Sequence, residues 1–176
     1  TDTNGYATTD LDLPLDTNFA FVETKAPIGY ILDETPIPFV TEYEGQDYQE
    51  INVAKEALNE ETKIVVSKLD MTTSEELPGN VMKIFEKDNE GSTFITWVSS
   101  DEPQEITNLD VNTRYILRET SAAKGFHLAQ DIEFELDEYG NLYVVNEKDE
   151  LVKAEENKLT MENDLVKGRL EWNKQG

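Results

Sequence analysis

The chain has 176 residues, enough for one domain or two small ones, and a hydrophobic content of 38% supports only modest cores. It carries 38 acidic against 15 basic residues, a net charge of −23, and the acidic excess is spread along the whole chain. Such a surface repels nucleic acid and anionic membranes, so we expect neither as a partner. The absence of cysteine excludes disulfides, thiol catalysis and cysteine-based zinc sites.

No signal peptide opens the sequence, and no apolar run is long enough to cross a bilayer. The chain starts at Thr1 without a methionine and stops at Gly176 within a predicted strand. We therefore expect it to be an internal fragment of a longer protein.

One stretch of sequence occurs twice. DLPLDTNFAFVET at 12–24 corresponds to NLDVNTRYILRET at 108–120, and each is followed at the same spacing by a turn containing glycine and an aromatic residue. Glu23 and Glu119 thus occupy equivalent positions. The large spacing between the two copies, at 12–24 and 108–120, indicates tandem domains of one kind rather than a short solenoid unit.

In chain order, short runs rich in Val, Ile, Tyr, Phe and Thr are separated by turn residues such as Pro78-Gly79, a pattern typical of β-structure. Only 52–60 has a weakly helical pattern. Many short strands at this spacing predict an all-β chain of tandem antiparallel β-sandwich domains. The predicted strands are 19–24, 37–42, 49–54, 62–69, 80–87, 93–98, 114–120, 131–136, 142–145, 158–163 and 168–174.

The strand pattern predicts one complete domain at 62–166. Residues 1–61 carry only the C-terminal half of an equivalent domain, because their match begins in the middle of the repeat. Residues 167–176 (KGRLEWNKQG) resemble 62–69 (TKIVVSKL), the opening strand of a domain. The expected order is therefore half a domain, a whole domain and the first strand of a third.

Three polar residues of the complete domain lie on the apolar face of predicted strands. Side chains of a strand alternate between its two faces, so each polar residue shares its face with apolar neighbours two and four positions away. A polar side chain in such a place is buried or half-buried. The residues are Lys68 (with Ile64 and Val66), Glu119 (with Tyr115 and Leu117) and Asn163 (with Leu159 and Met161).

Burial would change the protonation states of Lys68 and Glu119 and could make the three side chains reactive towards one another. A buried lysine tends to lose its proton and a buried glutamate to gain one. A neutral lysine amine is a nucleophile, and an asparagine amide is an acyl group with ammonia as its leaving group. A protonated glutamate could polarise the amide carbonyl and shuttle protons. Lys68, Glu119 and Asn163 therefore predict a Lys–Asn isopeptide bond formed with loss of ammonia.

At these residues the chain resembles the CnaB-type (SpaA-like, prealbumin-like) repeats of Gram-positive pilins and adhesins. The resemblance covers essentially the whole chain, and its most specific part is the Glu-box with its continuation. The matching residues are FVETKAPIGY at 21–30, YILRET at 115–120 with Gly125-Phe126, Lys68-Leu69-Asp70, Leu77-Pro78-Gly79 and Glu162-Asn163.

The resemblance implies a stalk domain with an Ig-like or prealbumin-like sandwich fold. It implies a crosslink between Lys68 and Asn163, with Glu119 as the catalytic residue of a reaction that does not turn over. It also implies an extracellular location, attached to the cell wall through other parts of the parent protein, with neighbouring repeats as partners.

The first copy departs from the family pattern. Its opening lysine would lie before Thr1, and its closing strand has Lys55 where an asparagine is expected. Glu23 is therefore a motif equivalent without complete partners. Lys174 occupies the reactive-lysine position of a third domain and likewise lacks its partners.

Simpler interpretations remain open. Lys68 can snorkel at a strand end, Glu119 can form an ordinary ion pair with it, and Asn163 can cap a turn. The alternative functions are an adhesin module that recognises a host matrix protein or glycoprotein without a crosslink, and a calcium-stabilised repeat, although no calcium loop is complete. No phosphate loop, nucleophile elbow or zinc signature is present, so we predict no cofactor, no metal and no enzyme.

Overall fold

The computed structural model describes Gly5, residues 13–46 and residues 53–167. Within these residues the chain is almost entirely β-structure, with one short 3-10 turn at Glu155–Asn157. The strands are β1 (Asn18–Phe21), β2 (Ile37–Val40), β3 (Lys63–Asp70), β4 (Val81–Glu86), β5 (Asn89–Val98), β6 (Gln104–Thr107), β7 (Arg114–Ser121), β8 (Ile132–Leu136), β9 (Leu142–Val145), β10 (Leu151–Lys153) and β11 (Lys158–Asn163).

The all-β prediction is confirmed, with differences in detail. The predicted strand at 168–174 and most of that at 49–54 lie outside the described residues. The strands predicted at 142–145 and 158–163 have the predicted bounds, and the other predicted strands are present with shifted ends. Strands β6 and β10 were not predicted, because each is short and neither has an alternating apolar pattern. The helix predicted at 52–60 is wrong over 53–60, which is irregular. Its largest apolar residue, Leu58, is exposed, so a helix there would have no apolar face to bury.

The chain divides into two compact units. The first contains β1 and β2, which pair antiparallel, and its aromatic side chains Phe19 and Phe21 both stack on Phe39. The second contains β3 to β11 together with the segment Lys25–Leu32. By sequence that segment belongs to the first copy of the repeat, yet its contacts place it in the second unit.

The second unit is a β-sandwich of two sheets. The larger sheet has the order β10-β9-β8-β7-β4-β5, with every neighbouring pair antiparallel. The smaller sheet has the order β11-β3-β6, in which β3 is antiparallel to β6 and parallel to β11. The strands that open and close the sandwich therefore lie side by side.

The core lies between these two sheets and is built from the inward-facing residues of alternating strands. Tyr115 stacks on Phe134 with 5.7 Å between ring centroids, and its hydroxyl accepts the Asp110 N–H at 3.0 Å. Burial raises the pKa of Tyr115 to about 12. The other buried apolar side chains of this core cluster are Ile64, Val66, Met82, Ile84, Ile106, Leu109, Leu117, Leu136, Leu142, Leu159 and Met161.

Two glycines at equivalent positions of the repeat have contrasting surroundings. Gly29 has φ +79°, and a Cβ there would lie 3.1 Å from the carbonyl oxygen of Asn108 and 3.2 Å from its Cα. Gly125 has φ +94°, and no described atom lies within 4 Å of its Cβ position. Both need the left-handed backbone that glycine favours, but only Gly29 also needs the missing side chain.

We expect Gly29→Ala to destabilise the second unit more than Gly125→Ala. Both changes place an L-residue in the left-handed region, at a cost of roughly 1–2 kcal/mol. Gly29→Ala adds overlap with the Asn108 backbone, worth a further ~1 kcal/mol. Thermal unfolding of the two variants measures the difference, and equal losses would contradict the tight contact.

Candidate crosslinking site

The structure brings together the three polar residues singled out in the sequence. Lys68 on β3, Glu119 on β7 and Asn163 on β11 are 2%, 4% and 1% exposed. Each continues the core-facing row of its strand, as the alternation predicts. In the parallel register Lys68 lies opposite Met161, so Asn163 is the next core-facing residue along β11.

The side chains are in direct contact. The Lys68 Nζ donates to Asn163 Oδ1 at 2.5 Å and lies 3.5 Å from the Met161 carbonyl oxygen. The Asn163 Nδ2 donates to Glu119 Oε1 at 2.8 Å, and the same carboxylate oxygen is 3.7 Å from Lys68 Nζ. One carboxylate oxygen is thus within reach of both nitrogens.

The lysine is placed where its charge is disfavoured. Burial lowers the pKa of Lys68, and the nearby Glu119 carboxylate opposes that shift only in part. A lower pKa enlarges the fraction of neutral amine, which is the nucleophilic form.

The second oxygen of Glu119 has a structural partner. Glu119 Oε2 accepts the Ala129 N–H at 2.8 Å, ten residues further along the chain. In the first unit, Glu23 Oε2 accepts the Asp33 N–H at 3.0 Å, again ten residues on. The repeated glutamate therefore braces the loop that follows its strand in both copies, and in the second copy this bond also holds the carboxylate at the site.

A further buried residue, Asn80, contacts the site and was missed in the sequence. Its Oδ1 accepts the Ala123 N–H at 2.8 Å and lies 3.4 Å from Asn163 Nδ2. Its Nδ2 donates to the Leu77 carbonyl at 2.7 Å and to Ser99 Oγ at 2.9 Å. Every polar atom of the Asn80 side chain thus has a partner.

These bonds fix the orientation of the Asn163 amide. Because the Asn80 amide nitrogen is already committed as a donor, its oxygen faces the site as an acceptor. The nitrogen of Asn163 therefore points to Asn80 and Glu119, and its oxygen points to Lys68. The sequence does not single out Asn80, because an asparagine directly after Pro78-Gly79 is typical of a turn.

The remaining predicted residues are not part of this cluster. Glu23 belongs to the first unit, Lys55 is exposed, and Lys174 lies outside the described residues. Within the described ranges, no group of three His, Cys, Asp or Glu side chains could hold a metal ion. None of the helices in this same part of the chain has the length and apolar character needed to cross a membrane.

Comparison with protein families agrees with this fold. The model of the SpaA prealbumin-like fold domain matches residues 1–56 and 62–151. The chain belongs to the SpaA prealbumin-like domain family. The two matched stretches follow the two copies of the repeat. They include Lys68 and Glu119, whereas Asn163 lies beyond the second stretch. The resemblance described from the sequence is thereby confirmed at the level of family and fold.

Solved structures have the same fold. A C-terminal fragment of the pilus adhesin SpaC from Lactobacillus rhamnosus GG is 21% identical, with a TM-score of 0.51, 92% of this chain covered and 81% of that chain. The open conformation of SpaC is 20% identical (TM-score 0.51), with 87% and 25% covered. The Bacillus anthracis TIE protein is 19% identical (TM-score 0.50), with 85% and 25% covered. The chain thus spans a quarter of these two larger proteins. Comparison with curated proteins gives no match.

We expect Asn80→Ala to destabilise the second unit by about 2–3 kcal/mol, because it strips buried polar groups of their partner. Ser67→Ala is the matched control. Ser67 is fully buried beside Lys68, but its hydroxyl has no hydrogen-bond partner among the described residues. Its removal is expected to change stability little. Urea unfolding in a Lys68→Ala background, where no crosslink can form, compares the two. A cost for Asn80→Ala no larger than that of the control would contradict the assigned network.

Proposed function

We propose that this chain is a structural stalk module of a Gram-positive cell-surface adhesin or pilin, locked by a Lys68–Asn163 isopeptide bond that forms with the help of Glu119. One observation carries the proposal. A buried lysine amine lies 2.5 Å from the side-chain oxygen of a buried asparagine, and the asparagine side-chain nitrogen donates a hydrogen bond to a buried glutamate.

The reaction balances without a co-reactant. The neutral Lys68 Nζ attacks Cγ of Asn163, a new C–N bond forms, and the Cγ–Nδ2 bond breaks. One proton moves from Nζ to Nδ2, which leaves as ammonia. Glu119 Oε1 lies 3.7 Å from the first nitrogen and 2.8 Å from the second, so it can accept the proton and deliver it.

The fold supplies what this chemistry needs. Two neighbouring strands hold amine and amide in contact, which removes the entropic cost of bringing them together. Burial favours the neutral amine, and Asn80 keeps the leaving nitrogen turned towards Glu119. Because Glu119 acts once per molecule, the module would not be an enzyme in the usual sense.

The bond would stabilise the second unit mainly through its long loop. Lys68 and Asn163 are 95 positions apart in sequence. By the chain-entropy model used for disulfides, closing a loop of this length is worth roughly 4–5 kcal/mol. In a chain without cysteine, it would take the place of a disulfide.

The parent protein would lie outside the cell, attached to the cell wall through parts not in this chain. Neighbouring repeats would be its first partners. Recognition of a host matrix protein or glycoprotein is an alternative that no specific observation among the described residues favours.

The deciding measurement is the intact mass under denaturing conditions. We expect the wild-type chain and the Ser67→Ala control to be lighter than their sequences by one ammonia. Lys68→Ala and Glu119→Ala should have the unmodified mass, because one lacks the nucleophile and the other the proton carrier. An unmodified wild-type mass would leave Lys68 and Glu119 as an ion pair and would favour a plain adhesin repeat.

We also expect crosslinking to slow as the pH falls. Below the lowered pKa of Lys68 the amine is protonated and cannot attack, whereas above it the neutral form dominates. The acid limb of the rate profile should therefore lie below 10.5, the ordinary pKa of lysine. Mass spectra taken during refolding at a series of pH values would measure this limb. An acid limb at or above 10.5 would argue against a buried amine as the nucleophile.

A further inference from the structure

Two turns of the second unit have the same backbone pattern. In the first turn, residues 29–32 run beside 60–62, and in the second turn, residues 125–128 run beside 164–166. Each contains one isolated antiparallel bridge flanked by two backbone hydrogen bonds. These measure 2.9 and 2.9 Å in the first turn and 3.0 and 2.8 Å in the second.

The first turn is covered by two loops, at 108–109 and 138–140, which we call the receiving loops. The Thr62 carbonyl accepts the Asn108 N–H at 3.1 Å, and the Thr62 hydroxyl donates to the Leu109 carbonyl at 2.6 Å. The Leu32 N–H donates to the second at 2.8 Å. The first turn is thus held by backbone groups as well as by a side chain.

Glycines permit this close approach on both sides. Gly29 in the first turn lies against the backbone of one receiving loop. Gly140 in the other receiving loop leaves room for Ile31, whose Cγ2 would be 2.5 Å from a Cβ at position 140. A side chain larger than hydrogen at either glycine would push the surfaces apart.

The second turn presents the same groups at the surface of the part of the chain that the structure describes. Leu128, the equivalent of Leu32, is 61% exposed, and Val166 is 53% exposed where its equivalent Thr62 is 1% exposed. The Leu128 N–H and the Val166 carbonyl have no hydrogen-bond partner among the described residues. Among the described residues, the second turn therefore exposes the groups that the first turn buries against the receiving loops.

We propose that the second turn is the docking surface for the receiving loops of a following domain of this same fold. The order of the chain supports this occupant. In the first turn, Thr62 directly precedes β3, the opening strand of the domain that supplies the receiving loops. After Val166 the sequence at 167–176 resembles that opening strand. The proposal rests on the tandem-repeat part of the proposed function and is independent of the isopeptide bond.

We call the contact between a turn and its receiving loops a joint. The joint formed by the second turn would differ from that of the first turn in two side chains. Val166 replaces Thr62, so the hydroxyl bond to the receiving loop is lost, and His127 replaces Ile31. Two backbone hydrogen bonds and the aliphatic contacts of Leu128 and Val166 would remain. The joint should therefore form, with one polar contact fewer than the first.

Single cysteines test this directly, because the chain has none of its own. In the present chain, the thiol of Leu128→Cys should react about tenfold faster with a thiol reagent than that of Leu32→Cys, because Leu128 is exposed whereas Leu32 is half-buried in the covered turn. Fusing a further copy of residues 63–166 after Val166 should slow Leu128→Cys to the rate of Leu32→Cys. Val98→Cys, a similarly exposed position on β5, should keep its rate.

Two results would overturn the docking surface. One is slow labelling of Leu128→Cys in the present chain. The other is unchanged fast labelling in the extended chain while circular dichroism and trypsin resistance show that the added copy is folded. Repeating the labelling with Glu119→Ala in both copies separates the two proposals. Protection at Leu128→Cys without a crosslink supports the joint even where the isopeptide bond fails to form.

Discussion

The parallel pairing of β3 with β11 is the constraint on which the site depends. It sets the opening and closing strands of the sandwich side by side, in a register that leaves Asn163 one core-facing step beyond the residue opposite Lys68. The facing sheet then supplies Glu119 from β7, and Asn80 lies directly before its strand β4. If the two strands were antiparallel, the residue opposite Lys68 would change. The amine and the amide would then be in contact only with a different register of the two strands.

The site is a polar island at one end of an apolar core, and its polar atoms satisfy one another. Leaving any of them without a partner would cost stability, because water cannot replace the missing bond. Asn80 and the hydrogen bond from Ala129 to Glu119 therefore stabilise the fold, and they would serve the proposed reaction as well. The arrangement that makes burial tolerable is the same one that aims the lysine at the amide. The proposed reaction would need no flexible or exposed segment.

Local periodicity was sufficient to find Lys68, Glu119 and Asn163, because each interrupts an alternating apolar row. It was not sufficient to show which strands pair, since β3 and β11 carry no sign in their own residues of lying next to each other. Asn80 could not be found from the sequence for a related reason. Its role depends on hydrogen bonds with Ser99 and Ala123, which are distant in sequence. Strand β10 is an exposed edge with little to bury, and the irregular segment at 53–60 shows that helix-favouring residues do not form a helix without a surface to cover.

The separation between Lys68 and Asn163 also has a meaning for length. A peptide extends by about 3.3–3.6 Å per residue, so the 95 positions between them hold roughly 300 Å of chain that unfolding would release. With the proposed bond in place, a force applied to β3 would pass directly to β11 through the crosslink, and the chain between Lys68 and Asn163 would not be extended. A stalk built from such modules would transmit a pull as a rod does, and the distance between the cell and whatever it holds would stay nearly constant under load.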